Sequence, residues 1–125
     1  MKTSPAQSVL IIDDDPFLRG FAVAALADAG FSTRASDNAI QGIVAAMQWR
    51  PDLILLDYAM PVNDGLDVLE GLMNVEGLGS TPVIVLSAWR SDTVKKRVQA
   101  LGASWLDKPV TAAVLVSAIQ RRLSQ

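Results

Sequence analysis

The chain has 125 residues, of which half are apolar and 19% charged, with a formal net charge of −2 and no Cys or His. That length suits a single domain, and the missing Cys and His exclude a disulfide scaffold, a thiolate nucleophile, a Ser-His-Asp triad and the usual zinc sites. The acidic balance and the absence of any apolar run near the ~20 residues of a membrane span predict a cytoplasmic domain with no nucleic-acid and no membrane partner.

Three continuous apolar runs of four residues, at 9–12, 53–56 and 83–86, predict β-strands. Strands that lack an alternating polar face are buried on both sides, which is typical of a parallel sheet covered by helices. Weaker runs at 31–35 and 103–106 follow glycines and predict two further strands near the sheet edges.

Helical patterns fill the intervals between these strands. Asp15-Pro16 begins the first helix and Gly30 closes it, while Ser36 or Asp37 begins the second and Pro51 ends it. The apolar face expected of the second helix consists of Ile40, Ile43, Val44 and Met47. A third helix is predicted over 65–74 with Leu66, Leu69, Leu72 and Met73 inward, a fourth begins at Ser91-Asp92, and a fifth spans 111–123.

Strict alternation of strand and helix predicts a doubly wound α/β fold with a five-stranded parallel sheet and five helices. We expect one domain over 1–125 with its core at about 8–123. Ligands of such sheets bind outside the carboxyl ends of the strands.

Reactive side chains follow four of the five predicted strands. They are Asp13, Asp14, Asp57, Ser87 and Lys108. Crowded carboxylates raise one another's pKa unless a cation intervenes, and Mg²⁺ is a cation that takes one or two carboxylates together with phosphate oxygens. Helix capping accounts for Asp15 and would account for an isolated Asp13 or Asp14. The convergence of the whole set at one edge favours a functional site.

The set resembles the receiver domain of two-component response regulators, the chemotaxis regulators included. The residues that carry the resemblance are Ile12-Asp13-Asp14-Asp15-Pro16, Leu56-Asp57-Tyr58-Ala59-Met60-Pro61 with Asp64-Gly65, Leu86-Ser87-Ala88, and Asp107-Lys108-Pro109. The resemblance covers essentially the whole chain and implies a flavodoxin-like sheet with strand order 2-1-3-4-5. It also implies a cis peptide bond between Lys108 and Pro109.

The resemblance further implies a signalling domain, not a conventional enzyme, that promotes its own phosphorylation and dephosphorylation. Asp57 would accept a phosphoryl group from a histidine kinase or a histidine phosphotransfer protein. The implied Mg²⁺ ligands are Asp14 directly, Asp13 largely through water, Asp57 and the backbone carbonyl of Ala59. Ser87 and Lys108 would contact the phosphoryl group, and a surface of helix 4, strand 5 and helix 5 would bind an unknown downstream target protein.

Three residues depart from the usual pattern of the family. Trp105 stands at the switch position where Tyr or Phe is more common in the family, and we expect its larger ring either to stay largely outward or to need a larger pocket. Ala59 and Trp89 alter the rim beside the phosphoryl group, and our hypothesis is that they tune the access of hydrolytic water. The alternative is that both are tolerated loop residues.

The first helix is almost uncharged, since Arg19 and Asp28 are its only charged residues. With Leu18, Phe21, Ala22, Ala25 and Ala29 facing the sheet, the residues left toward solvent would be Gly20, Val23, Ala24 and Ala27. Small apolar residues on an exposed helix favour a docking surface. The resemblance implies that the histidine-containing helical bundle of the donor docks on this helix. The alternative is an Ala-rich helix that reflects helix propensity alone.

Three other functions are compatible with the same fold. A constitutive interaction module that is never phosphorylated is the main alternative, although such domains typically lose one of the acidic groups or the lysine. A flavin carrier would need a phosphate-binding loop where Asp13-Asp14-Asp15 stands, and an aspartate-nucleophile phosphatase would usually be larger. We expect a stand-alone receiver with no output domain, and the alternative is a piece of a longer regulator or hybrid kinase.

Overall fold

The computed structural model describes residues 6–57, 65–88 and 91–125, in which strands and helices alternate. The strands are β1 (Ser8–Ile12), β2 (Ser32–Ser36), β3 (Leu53–Asp57), β4 (Val83–Ser87) and β5 (Ser104–Asp107). The helices are α1 (Pro16–Asp28), α2 (Ala39–Trp49), α3 (Gly65–Met73), α4 (Asp92–Ala100) and α5 (Ala112–Leu123). All strand pairs are parallel, in the order β2-β1-β3-β4-β5, which confirms the predicted fold.

The side chains of each central strand alternate between two apolar layers. On β1, Val9 and Ile11 pack with α1 and α5, whereas Leu10 and Ile12 pack with α2, α3 and α4. Both layers are fully shielded from solvent in the described residues of β3 and β4, as the continuous apolar runs predicted. The helices therefore cover both faces and leave the carboxyl ends of the strands as the edge where polar groups collect.

Side-chain caps fix where four of the helices begin. Asp15, Ser91 and Thr111 accept hydrogen bonds from backbone N–H groups at the starts of α1, α4 and α5, where the sequence placed these helices. The second helix begins later than predicted, because Asn38 rather than Ser36 or Asp37 is its cap and accepts from the N–H of Gln41. Ser36 instead ends β2.

The predicted inner face of α2 is wrong. Its buried residues are Ala39, Gly42 and Ala46, whereas Ile40 is 74% exposed, Met47 46% and Val44 44%; of the predicted face, Ile43 alone packs against the core. The cause is the close approach of α2 to β1, since a Cβ at Gly42 would lie 2.7 Å from Cδ1 of Ile12. Small residues must face the sheet at that separation, so the larger ones are turned outward.

Gly42→Ala is expected to destabilise the fold. The added methyl would meet Cδ1, Cγ1 and Cγ2 of Ile12, all closer than 3.0 Å, and Ile12 is fully buried. Overpacking of this kind costs about 1–3 kcal/mol, and three such contacts with a fully buried side chain place the cost near the upper value. The better helix propensity of Ala offsets about 1 kcal/mol, so the expected net loss is about 2 kcal/mol. Urea unfolding measures the change, and Ile12→Val in the same chain should recover part of the loss. Equal stability of Gly42→Ala and the parent would contradict the close approach.

One residue of the predicted α1 docking face is also misplaced. Gly20, Ala24 and Ala27 are exposed as expected, but Val23 is half-buried against the layer that α1 shares with α5. The helix contacts α5 as well as the sheet, so its buried arc is wider than a single sheet-facing stripe. Ala29, expected to face the sheet, is exposed and caps the end of the helix.

Within the three described ranges, no helix is long and apolar enough to cross a membrane.

Candidate functional site

The predicted reactive side chains meet at the carboxyl edge of the sheet. Asp57 is the last residue of β3 and Ser87 the last of β4, while Asp13 directly follows β1 and Lys108 follows β5. Parallel pairing of β1 with β3, β3 with β4 and β4 with β5 brings these four ends side by side. Adjacent ends of parallel strands therefore assemble the site, as the sequence indicated.

Asp57 and Lys108 form an ion pair at the centre of this edge. The Lys108 Nζ lies 2.9 Å from Oδ1 of Asp57, and the two side chains are 15% and 5% exposed. The Lys108 backbone N–H also donates to the carbonyl of Ser87 over 2.8 Å, and the Lys108–Pro109 peptide bond is cis. The hydrogen bond to Ser87 fixes the backbone of Lys108, and its side-chain ammonium group contacts the buried Asp57 carboxylate.

Three carboxylates surround the same point. One oxygen each from Asp13, Asp14 and Asp57 lies within 4.8 Å of the others, with Asp13 and Asp57 buried. Carboxylate oxygens at this spacing suit a hard divalent cation such as Mg²⁺, which binds few protein ligands and keeps several waters. The donor set therefore fits a magnesium ion.

The turn after β1 holds Asp13 in place. Its Oδ1 accepts a hydrogen bond from the N–H of Asp15 over 2.9 Å, and its own N–H donates to the carbonyl of Ser36 over 3.0 Å. Its carbonyl accepts from Nη1 of Arg19 over 2.9 Å. The sequence analysis gave Arg19 no role, although a single cation on an otherwise apolar stretch of helix beside an acidic cluster was a usable signal. Arg19 acts here as a positioning residue.

Burial raises the pKa of Asp13 from its ordinary value of 3.8 to about 7. The hydrogen bond from Asp15 opposes the rise, while the nearby charge of Asp57 adds to it. A group with a raised carboxyl pKa binds more protons in the folded than in the unfolded chain between these two values. Stability due to Asp13 is therefore greatest at low pH and is lost as the pH rises toward 7.

In metal-free buffer, the free energy of unfolding is expected to fall between pH 5 and pH 8 in the parent chain and to fall less in Asp13→Asn. The asparagine carries no charge to desolvate, so its variant should also be the more stable of the two at pH 8. Urea unfolding in EDTA at several pH values measures both effects. Asp28→Asn, at the end of α1, is the control and should keep the parent's pH dependence. Parallel pH profiles for the parent and Asp13→Asn would contradict the prediction.

The two predicted switch residues lie on neighbouring strands. Ser87 is fully buried at the end of β4. Trp105 on β5 is half-buried against the α2–α4 layer, and its indole N–H donates to Oδ1 of Asp107 over 3.0 Å. The ring is therefore less outward than expected, because the apolar layer beside α4 accommodates part of it. Ala59 and Trp89 lie outside the described residues, and their tuning role stays a prediction.

A cavity of about 320 Å³ opens beside the ion pair, between α1 and the segment that follows β5. Its polar lining comes from Asp13, Asp57 and Lys108. Its other walls are apolar and include Phe17, Leu18, Phe21, Pro109, Val110 and Leu115. Phe17, one of the lining residues, is 83% exposed, a feature that the sequence alone did not reveal. The cavity leaves an open approach to the Asp57 carboxylate from the α1 side.

Comparison with known proteins gives one consistent family. Residues 9–120 match the family described as "Response regulator receiver domain". The DNA-binding response regulator MtrA of Mycolicibacterium smegmatis is 32% identical over 119 residues, which are 94% of this chain and 50% of that protein. The chain thus spans about half the length of the curated relatives it matches.

Solved structures of similar length agree with this result. The chemotaxis protein CheY4 of Vibrio cholerae superposes with a TM-score of 0.89 at 28% identity, over 94% of this chain and 98% of that one. A response regulator protein from Burkholderia multivorans has a TM-score of 0.76 at 31% identity, over 96% of each chain. Both structures share the arrangement of layers described above.

Proposed function

The chain belongs to the response regulator receiver domain family, and from that premise we propose that it takes a phosphoryl group onto Asp57 and thereby switches a protein-binding surface. The observation that carries the proposal is the buried Asp57 carboxylate, 2.9 Å from the Lys108 ammonium and grouped with Asp13 and Asp14. A structural ion pair would need neither of the two additional carboxylates, since their mutual repulsion costs stability.

The proposed reaction is an in-line displacement at phosphorus. A carboxylate oxygen of Asp57 forms the new P–O bond while the P–N bond of a donor phosphohistidine breaks, and the electron pair of that bond returns to the imidazole nitrogen. The Lys108 ammonium neutralises charge on the phosphoryl oxygens. Asp13 and Asp14 would hold Mg²⁺ with Asp57 and the Ala59 carbonyl. Held there, the ion would supply further positive charge beside the transferred phosphoryl group.

The same groups suggest how phosphorylation of Asp57 would change the conformation of a surface away from the site. An acyl phosphate adds about −1.5 to −2 charge at this edge, and the Ser87 hydroxyl is the adjacent donor on β4. Trp105 lies on the next strand against the α4 layer. A shift of these two residues would change the surface formed by α4, β5 and α5, where we place the binding site for a downstream protein. The chain is then a cytoplasmic signalling domain that promotes its own phosphorylation and dephosphorylation.

We further place the docking site for a histidine kinase or a histidine phosphotransfer protein on α1. Gly20, Ala24 and Ala27 leave a low, exposed surface on the helix that flanks the cavity leading to Asp57. A donor helix could approach closely there because these residues project little from the backbone. Val23 is not included, since it packs against the α1–α5 layer.

Ala24→Lys is expected to slow phosphoryl transfer from a cognate phosphohistidine donor by about tenfold or more, because a long charged side chain blocks close helix approach. Uptake from acetyl phosphate should remain as in the parent, since that small donor needs no docking surface. Radiolabelled transfer and small-donor phosphorylation are measured side by side. Gln99→Lys on the exposed side of α4 is the control. Equal transfer rates for Ala24→Lys and the parent would remove α1 as the docking site.

Incubation with acetyl phosphate tests the function as a whole. Intact-mass spectrometry should detect one phosphoryl adduct in the presence of Mg²⁺ and little or none in EDTA. Loss of the adduct in mild base would identify an acyl phosphate. A chain that stays unmodified with every small phosphodonor would support the alternative of a constitutive interaction module.

A further inference from the structure

The solvent-facing side of α2 is uncharged, and beside the exposed Gln41 and Gln48 it carries a stripe of large apolar side chains. Five large apolar side chains are exposed in the described part of the chain, and three of them, Ile40, Val44 and Met47, lie on this one helix. Their spacing of four and then three residues is that of the seam along which two helices pack. Single exposed apolar residues are ordinary on protein surfaces, but a continuous stripe of them marks a contact.

The stripe does not pack against the sheet. The contacts of α2 with β1 depend on small residues, with Gly42 so close to Ile12 that larger side chains must point away. A helix on the protein surface normally carries charges on its outer face. On the same side of the sheet, α4 carries Asp92, Lys95, Lys96 and Arg97 within nine residues, whereas the eleven residues of α2 include no charge at all.

Charges of opposite sign lie at the two ends of this helix. Exposed Asp37 directly precedes the cap of α2. At the other end, the Arg34 guanidinium stacks on Trp49, the last helical residue, 4.8 Å from the ring centroid. An antiparallel partner helix with the same charge pattern would set each acidic end against a basic one.

We propose that α2 is a contact surface for a second copy of this chain. The two α2 helices pack antiparallel about a two-fold axis near Val44, which is the middle residue of the stripe. Asp37 of each copy then lies at the Arg34 end of the other, and no like charges meet along the helices. Because each helix is only about 16 Å long, the contact is small and the dimer forms at high protein concentration. The proposal does not depend on phosphorylation of Asp57.

Sedimentation velocity across a wide concentration range tests the contact with a pair of matched variants. Val44 on α2 and Val114 on α5 are the same residue type with nearly equal exposure, 44% and 48%. We expect the parent to dimerise as its concentration rises, Val44→Lys to weaken that association by about tenfold or more, and Val114→Lys to change it by less than about twofold. A parent chain that stays monomeric at every concentration overturns the proposal. So does a dimer that Val114→Lys weakens or that Val44→Lys leaves intact.

A charge exchange tests the antiparallel arrangement with side chains that are not in the core. In low salt, Asp37→Arg alone and Arg34→Glu alone should each associate more weakly than the parent, since each would oppose like charges at both ends of the pair. An equimolar mixture of the two variants should recover the association, because every end contact then joins opposite charges. Circular dichroism confirms that both variants are folded. A mixture that associates no better than the separate variants would overturn the antiparallel pairing.

Discussion

Asp57→Asn is expected to abolish the phosphoryl adduct that the parent chain forms with acetyl phosphate and Mg²⁺. The amide that replaces the carboxylate is a poor nucleophile and cannot form the acyl phosphate. Its shape is nearly unchanged, so the packing at the end of β3 is kept. Because Asp57 is the proposed site of covalent chemistry, we expect this to be the largest functional effect of any single substitution in the chain. Intact-mass spectrometry and the retained circular dichroism spectrum provide the two measurements.

The matched control for this variant is Asp52→Asn. Asp52 directly precedes β3, and its carboxylate accepts a hydrogen bond from the N–H of Ser8 at the opposite edge of the sheet. It is therefore an aspartate next to the same strand but far from Lys108. Asp52→Asn should be phosphorylated like the parent. A phosphoryl adduct of undiminished yield in Asp57→Asn would assign the chemistry to another carboxylate, with Asp13 and Asp14 the next to be replaced.

The strands and their reactive ends could be predicted because the physical signals are local. A run such as 53–56 is apolar at every position. In a buried parallel strand both faces are covered, so none of these side chains is exposed to solvent. Once the strands are parallel, the carboxyl ends must share an edge, so Asp57 and Lys108 are brought near each other by topology. The strand order, which the family resemblance implied, is what brings the Lys108 ammonium within 2.9 Å of the Asp57 carboxylate.

The orientation of α2 could not be predicted from the same kind of signal. Helical periodicity shows that Ile40, Val44 and Met47 share a face, but it does not say whether that face meets the sheet. The decision is made by the distance between α2 and β1, which brings Gly42 against Ile12. Such a distance depends on residues far apart in the chain. On hydrophobicity alone, the larger residues of α2 are expected to face the core. The short distance to β1 instead leaves room only for the small ones.

The role of Arg19 was not predicted, and Val23 was wrongly predicted to face solvent, for a related reason. Each owes its role to a contact outside its own helix: Arg19 donates to the Asp13 carbonyl, and Val23 packs in the layer shared with α5. A pattern confined to one helix does not reveal the turn before it or the helix beside it. The Arg19 contact connects the proposed docking helix directly to the turn that holds Asp13.

Lys108 connects the stability of the acidic cluster with its proposed function. Asp13, Asp14 and Asp57 face a single ammonium group among the described residues, that of Lys108. Such crowding costs stability and persists where a cation is needed, which is how strain is stored at functional sites. In the proposed mechanism the lysine has two tasks, since it would offset the repulsion before phosphorylation and neutralise the phosphoryl oxygens during it.

Lys108→Met should separate these two tasks. Methionine keeps the unbranched chain but not the charge, so the buried Asp57 carboxylate loses the positive charge that lies 2.9 Å from it. In metal-free buffer we expect a loss of about 3 kcal/mol in the free energy of unfolding, the typical cost of breaking a buried pair from one side. The rate of phosphoryl uptake should fall by about 10² or more, as on removal of a donor from a charge-stabilising site. Lys96→Met, on the exposed side of α4, is the control for both measurements.

The double variant Asp57→Asn with Lys108→Met tests the origin of the stability loss. If the uncompensated charge of Asp57 causes it, the two substitutions together must cost less than the sum of their separate effects, because the asparagine leaves no charge to neutralise. Added Mg²⁺ should also restore part of the stability of Lys108→Met, since a divalent cation at the three carboxylates replaces the lost positive charge. Additive effects, or a Lys108→Met chain that unfolds like the parent, would show that the ammonium does not hold this cluster together.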